Sequence, residues 1–195
     1  DQTTLTKRYT EEAVRFIEQE KNGPFFLYLP YTMPHIPLFA SDDFLDSSKR
    51  GLYGDVIEEI DWSVGTILDT LKMHGLDEDT LVFFTSDNGP WMTQGTHGGT
   101  AASLRGAKGD TFEGGMREPA VAWWPGTVPA GAVSMEVASV LDLFPTFVKL
   151  AGGRIPGDRP YDGVDIMDIL RGGTGGERTI YYYRQEHLCA IRKGK

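Results

Sequence analysis

The sequence predicts an α/β protein with a mainly parallel sheet and helices on both faces, continued by the start of a small C-terminal α+β module. Three observations carry this. Apolar residues recur at helical spacing across residues 4–20 and 53–74. Short β-branched and aromatic runs alternate with those stretches, and strand–helix alternation favours parallel strands beneath crossover helices. After Gly152 the pattern changes to a loop and two short strand-like runs. Residues 1–152 therefore read as one part of the chain, and 153–195 as a boundary loop with the start of a second.

Each element has its own signal. Thr4 is placed to cap a helix running to about Glu20, with Tyr9, Ala13, Phe16 and Ile17 on one face. Phe25 to Leu29 reads as a buried strand, followed by a loop punctuated by Pro30, Pro34 and Pro37. Between Tyr53 and His74, Val56, Ile57, Ile60, Val64, Ile67, Leu68 and Leu71 keep helical spacing, and Gly75 supplies the stop. Leu81 to Ser86 is a strand ended by Gly89-Pro90, and Pro119 to Trp124 is another. Asp142 is placed to cap a helix with Pro145 in its first turn, ending at Ala151 before Gly152-Gly153. Gly152 to Gly163 is the boundary loop. Thr179–Tyr183 and Leu188–Arg192 read as strands of the closing module.

The chain has 195 residues, 40% of them hydrophobic, enough for one core. Twenty-four glycines and eleven prolines point to a loop-rich protein. No apolar run approaches the length of a membrane span. A single cysteine excludes an internal disulfide framework. The net charge of −9 argues against nucleic acid as a partner, so any anion site must be locally basic.

The chemistry concentrates at Asp87-Asn88-Gly89. A carboxylate and an amide at a strand's C-terminal tip sit where open α/β sheets place ligands, and their oxygens suit a hard cation such as Ca²⁺, with Mg²⁺ a weaker candidate. The same triplet also makes a common turn. A glycine-dense stretch follows: Gly98-Gly99-Thr100, Leu104 to Gly109, and Thr111 to Pro119. It is long for a connection without regular structure, and long ordered loops usually serve function. Lys108 stands among small residues there, either presenting an ammonium to an anion or solvated on a surface loop. His35 sits in the proline-bracketed loop after a strand, suited to hold an oxyanion or pass a proton, or simply to bond to backbone.

Ser86-Asp87-Asn88-Gly89, the Lys108-Gly109…Glu113-Gly114-Gly115-Met116-Arg117-Glu118-Pro119 block and Ala122-Trp123-Trp124-Pro125-Gly126 together resemble the type I sulfatases of the alkaline phosphatase superfamily, with the arylsulfatase pattern. Pro24 to Tyr28, Pro34-His35-Ile36-Pro37, Tyr53-Gly54-Asp55 to Asp61 and Asp142-Leu143-Phe144-Pro145-Thr146 agree, in order and nearly throughout the chain. The resemblance implies hydrolysis of a sulfate ester. His35 matches the histidine that contacts the sulfate, and Lys108 the lysine that bridges the sulfate and the leaving oxygen. Asp87 and Asn88 match half of the calcium site. His97 has no counterpart and is expected at the rim, within reach of substrate. Glu113, Arg117 and Glu118 are expected in a structural ion-pair network, Trp123 and Trp124 in the core, and Arg184 and His187 in a loop that reads the leaving group.

The family's formylglycine nucleophile arises from a Cys/Ser-x-Pro-x-Arg motif, and no such motif occurs here. Cys189-Ala190-Ile191-Arg192 lacks the proline. The family's opening Asp-Asp pair for the metal is likewise absent. The expectation is a C-terminal part of a sulfatase catalytic domain, incomplete, with a calcium half-site and no turnover alone. The expected partner is a sulfated small molecule or sulfated glycan, with no membrane span and the oligomeric state open. The family suggests a lysosomal, periplasmic or secreted setting. A phosphoester hydrolase of the same superfamily and a catalytically inactive truncated chain stay open as alternatives. An interaction module finds no exposed amphipathic or basic stretch to support it.

Overall fold

The computed structural model describes residues 1–194 and shows helices and small sheets divided between two units. The first comprises Asp1–Thr80 and Pro90–Ser103; the second comprises Leu81–Gly89 and Leu104–Lys195.

In the first unit, α1 (Leu5–Glu20) and α2 (Gly51–Met73) form as their periodicity predicts. The α1 start differs in its cap. Thr4 makes no side-chain cap; its hydroxyl donates to the Asp1 carbonyl at 3.1 Å, and Asp1 caps a preceding 3-10 turn, Gln2–Thr4. The buried face of α1 is Thr6, Thr10, Ala13 and Ile17, with Tyr9 and Phe16 half-buried. Threonines enter this face because the Thr10 hydroxyl is satisfied internally, donating to the Thr6 carbonyl at 2.8 Å. Gly75, at φ +65°, stops the chain after α2, in the left-handed conformation that glycine adopts without a Cβ penalty.

The core of this unit is Met33, Leu38, Ala40, Val56 and Ile60: a loop packed on α2. That loop, residues 30–41, contains cis peptide bonds at Met33-Pro34 and Ile36-Pro37. The expected strand Phe25–Leu29 forms no ladder among the described residues. Its exposure still alternates with a strand's period of two, leaving Phe26 68% and Tyr28 76% exposed between half-buried Phe25, Leu27 and Leu29. The pattern of a strand is present; a hydrogen-bonding neighbour, which a strand also needs, is not among the described ladders.

In the second unit, β1 (Val82–Thr85) leads into the Asp87 region, α3 (Glu113–Met116) is one short turn, and β2 (Ala120–Trp123) pairs antiparallel with β1, Val82 opposite Trp123 and Thr85 opposite Ala120. Helices α4 (Leu143–Leu150) and α5 (Met167–Leu170) follow, then a hairpin of β3 (Thr179–Arg184) and β4 (His187–Lys193) with a bulge at Tyr182/Tyr183. The α/β class is as expected. Both described ladders, however, are two-stranded and antiparallel, rather than the parallel pairing that strand–helix alternation suggests. Here β1 and β2 are joined by the glycine loop, with no long helix in it of the kind that usually carries the chain between parallel strands. Trp123 and Trp124 are half-buried, and Tyr181 and Tyr183 are exposed with Tyr182 half-buried between them.

Asp142 does not cap α4 as expected. Ser139 caps a 3-10 turn, Val140–Asp142, in a capping box with Asp142. The Asp142 carboxylate, fully buried, accepts from the N–H groups of Ser139 at 2.6 Å and Val164 at 2.9 Å and from Arg178 at 2.5 Å. It thereby joins the start of α4 to chain on both sides of α5.

Candidate functional site

The strand tip and the lysine loop of the second unit rest on the same turn of backbone. Gly89 donates its N–H to the Gly115 carbonyl at 3.3 Å, and a Cβ on Gly89 would collide with the Gly114 carbonyl. On the other side, Gly114 donates to the Arg105 carbonyl at 2.7 Å, and a Cβ there would strike the Gly106 carbonyl. Three chain segments approach to backbone distance, and only residues without side chains permit it. This explains why glycine stands at 89, 106, 114 and 115.

Asp87, exposed, and Asn88, half-buried, lie just beyond β1, the Asn88 amide donating to Asp87 Oδ1 at 2.9 Å. Lys108 is half-buried in a loop closed by the Asp110 side chain, which accepts the Ala107 N–H at 3.0 Å, and by Asp110 N–H donating back to the Ala107 carbonyl at 2.9 Å. Arg105 lies over the Phe112 ring, 3.9 Å from its centroid.

The expected network of Glu113, Arg117 and Glu118 separates into two parts. Glu113 accepts from Arg192 of β4 at 3.1 Å and faces Arg117 at 3.7 Å. Glu118 instead lies beside Asp87. Burial, and then the Asp87 charge, push its carboxyl above the ordinary range, and its Oε1 is enclosed without a hydrogen-bond partner among the described residues. Arg117 is extended, so it and Glu118 project in opposite directions. Two neighbouring carboxylates and an amide oxygen have the donor chemistry for Ca²⁺, which takes about six to eight oxygens. Among the described residues no group of three His, Cys, Asp or Glu could hold a metal ion, so the donor type fits and the number does not.

His35 and His97 belong to the first unit. His35 is exposed, with its Nδ1 2.7 Å from the Ile36 carbonyl. A carbonyl only accepts, so Nδ1 carries the proton and Nε2 faces outward as the chemically available nitrogen. The ring lies against Trp91, centroids 5.7 Å apart and tilted 57°. His97, exposed, ends the 3-10 segment Met92–His97, which is kinked at Gly95. Sequence reasoning missed Trp91, the placement of Glu118 and a buried polar stripe on α2. Trp91 carried a usable signal, standing two residues beyond Gly89 in a polar, glycine-rich stretch.

A family model described as Sulfatase matches residues 2–153. The chain is 46% identical over its whole length to N-acetylgalactosamine-6-sulfatase of Canis lupus familiaris, covering 38% of that protein. It is 40% identical to an arylsulfatase of Hemicentrotus pulcherrimus over 98% of the chain and 35% of the relative. Among solved structures it resembles the PsFucS1 sulfatase from Pseudoalteromonas sp. with TM-score 0.93 at 29% identity, over 98% of this chain and 39% of that one. It also resembles Ps i-CgsB in complex with k-i-k-neocarrahexaose, TM-score 0.85 at 32% identity, over 97% and 44%. The chain thus spans about two fifths of the length of the relatives it matches, and by sequence and fold it belongs to the sulfatase family.

Proposed function

We propose that this chain carries the leaving-group side of a sulfate-ester hydrolase acting on a sulfated glycan, together with half of its cation site. The observation that supports this most is the common glycine turn. It holds the Asp87-Asn88 tip and the Lys108 loop in fixed register, as a site that must neutralise an oxyanion and assist a departing oxygen requires. In this reading Asp87 and Asn88 give oxygens to Ca²⁺, which when bound offsets charge on the sulfate. Lys108 donates to the bridging oxygen and stabilises the alkoxide as the ester S–O bond breaks. With both ring nitrogens protonated, His35 donates Nε2–H to a sulfate oxygen, or passes that proton to the leaving alcohol, while its Nδ1–H stays bonded to the Ile36 carbonyl. His97 lines the rim. The glycan assignment is supported by the names of the relatives, N-acetylgalactosamine-6-sulfatase among them, and by the neocarrahexaose held in Ps i-CgsB.

The formylglycine nucleophile has no source in this sequence, so turnover belongs to the complete enzyme. The test has two arms. In a complete sulfatase containing this segment, Lys108→Ala should lower kcat on an aryl sulfate by on the order of 10²–10³, the effect of removing a transition-state donor. The 195-residue chain alone, with calcium, should show no turnover. An unchanged kcat in the first arm, or turnover in the second, overturns the assignment.

A further inference from the structure

The segment that carries His35 is fastened to α2 by a stripe of buried polar groups. Asp55, Glu59 and Ser63 follow one another at four-residue spacing, which places them on one face of the helix. They are 1%, 1% and 0% exposed. Inward-facing helical positions are ordinarily apolar, as their neighbours Val56 and Ile60 are.

Each member holds incoming chain. Ser63 Oγ shares hydrogen bonds with the Tyr31 hydroxyl at 2.7 Å and with Thr10 of α1 at 2.5 Å. Glu59 Oε2 accepts the Ser41 N–H at 3.0 Å. The two Asp55 oxygens accept the N–H groups of Asp46 at 3.0 Å and Ser48 at 2.8 Å. Tyr31 precedes His35 and Ser41 follows it, so Ser63 and Glu59, adjacent on the helix face, grip the two ends of the histidine segment. Between those ends, Met33, Leu38 and Ala40 anchor it by burial.

Glu59 is the costly member. Its second oxygen, Oε1, is enclosed with no hydrogen-bond partner among the described residues. A buried carboxylate with a bare oxygen is expensive, and an apolar residue of similar size would often pack more favourably. What the carboxylate supplies is a directional hold on main chain, which packing alone does not give.

We propose that Glu59 and Ser63 are positioning residues for His35, holding its segment so that the imidazole keeps its bond to the Ile36 carbonyl and presents Nε2. The value of this for catalysis rests on the reading of His35 as a sulfate-binding group; the positioning itself does not. The readout is the His35 tautomer, measured by ¹⁵N NMR on the 195-residue chain with its imidazoles neutral. Glu59→Gln and Tyr31→Phe should each lower the ratio of Nδ1–H to Nε2–H forms by about tenfold, the scale of one net hydrogen bond. Asp55→Asn removes a carboxylate from the same stripe that holds chain beyond the histidine segment, and should leave the ratio unchanged. An unaltered ratio in folded Glu59→Gln and Tyr31→Phe overturns the proposal, as does an equal change in Asp55→Asn, which would show general loosening. If Glu59→Gln does not fold, Tyr31→Phe and Ser63→Ala decide by the same criterion. In a separate titration with the imidazoles protonated, so that Nε2 carries a proton to donate, inorganic sulfate should also shift the His35 signals. A tautomer change without a sulfate response supports positioning and removes the sulfate reading.

Discussion

Gly89 and Gly114 meet backbone to backbone: the carbonyl oxygen of Gly114 occupies the place a Cβ of residue 89 would take. The end of β1 is thus set by contact with the glycine turn, and with it the position of Asp87 and Asn88. Gly89→Ala should destabilise the protein by about 1–3 kcal/mol, the usual cost of forcing an atom into packed structure. Gly23→Ala, where the added methyl meets nothing and φ is ordinary, is the control and should change stability by less than about 0.5 kcal/mol. Urea denaturation of both variants checks this. Equal stability would mean the contact relaxes freely.

Arg178→Met should cost about 3–5 kcal/mol, because it leaves the fully buried Asp142 carboxylate without its cation. Two backbone N–H groups still bond Asp142, which places the loss toward the lower end. Replacing both partners by apolar residues should recover part of it. A denaturation midpoint unmoved by Arg178→Met would show that the pair contributes nothing.

Glu118 gives stability a pH dependence. Its folded-state carboxyl is raised above the ordinary value of 4.5, first by burial and then by Asp87. The folded chain therefore holds this proton more tightly than the unfolded chain does. The associated stability is fully present below the ordinary carboxylate range and is lost as pH rises through the raised folded value. Glu118→Gln should remove that component, and Asp87→Asn should reduce it. The check is denaturation across the carboxylate range with divalent cations removed; a slope that persists in Glu118→Gln would assign the effect to other groups.

Calcium should bind the isolated chain weakly, with Kd above about 10⁻⁴ M, because Asp87 and Asn88 supply few of the oxygens the ion takes. Calorimetric titration measures this. Tight binding that survives Asp87→Ala would place the ion elsewhere.

Much of the architecture could be read from local pattern. The two long helices followed from apolar spacing, and β1 and β2 from β-branched and aromatic composition. Strand direction did not, because pairing depends on which segments meet, and Phe25–Leu29 keeps a strand's alternation without a described partner. Helix caps were missed at Thr4 and Asp142 for a related reason: a polar side chain near a helix start can cap it or bond elsewhere, and the sequence does not choose. As candidates, Asp87, Asn88, Lys108 and His35 stood out through motif and setting. Glu118 was assigned to the wrong neighbours because sequence shows a charge and not its direction. The α2 stripe is legible in principle, as polar residues at every fourth position, but the same spacing also marks an ordinary solvated helix face, and the sequence does not show which face is covered.

The division of the chain also bears on genetic dissection. The polypeptide passes from one unit to the other after Thr80, after Gly89 and after Ser103. No single truncation point, and no single protease cut, can therefore separate the two units cleanly. A stop codon after Thr80 deprives the first of Pro90–Ser103, and a start at Leu104 deprives the second of β1 and the Asp87 tip. A fragment ending at Ser103 keeps the first unit but carries Leu81–Gly89 of the second, and one starting at Leu81 keeps the second but carries Pro90–Ser103 of the first.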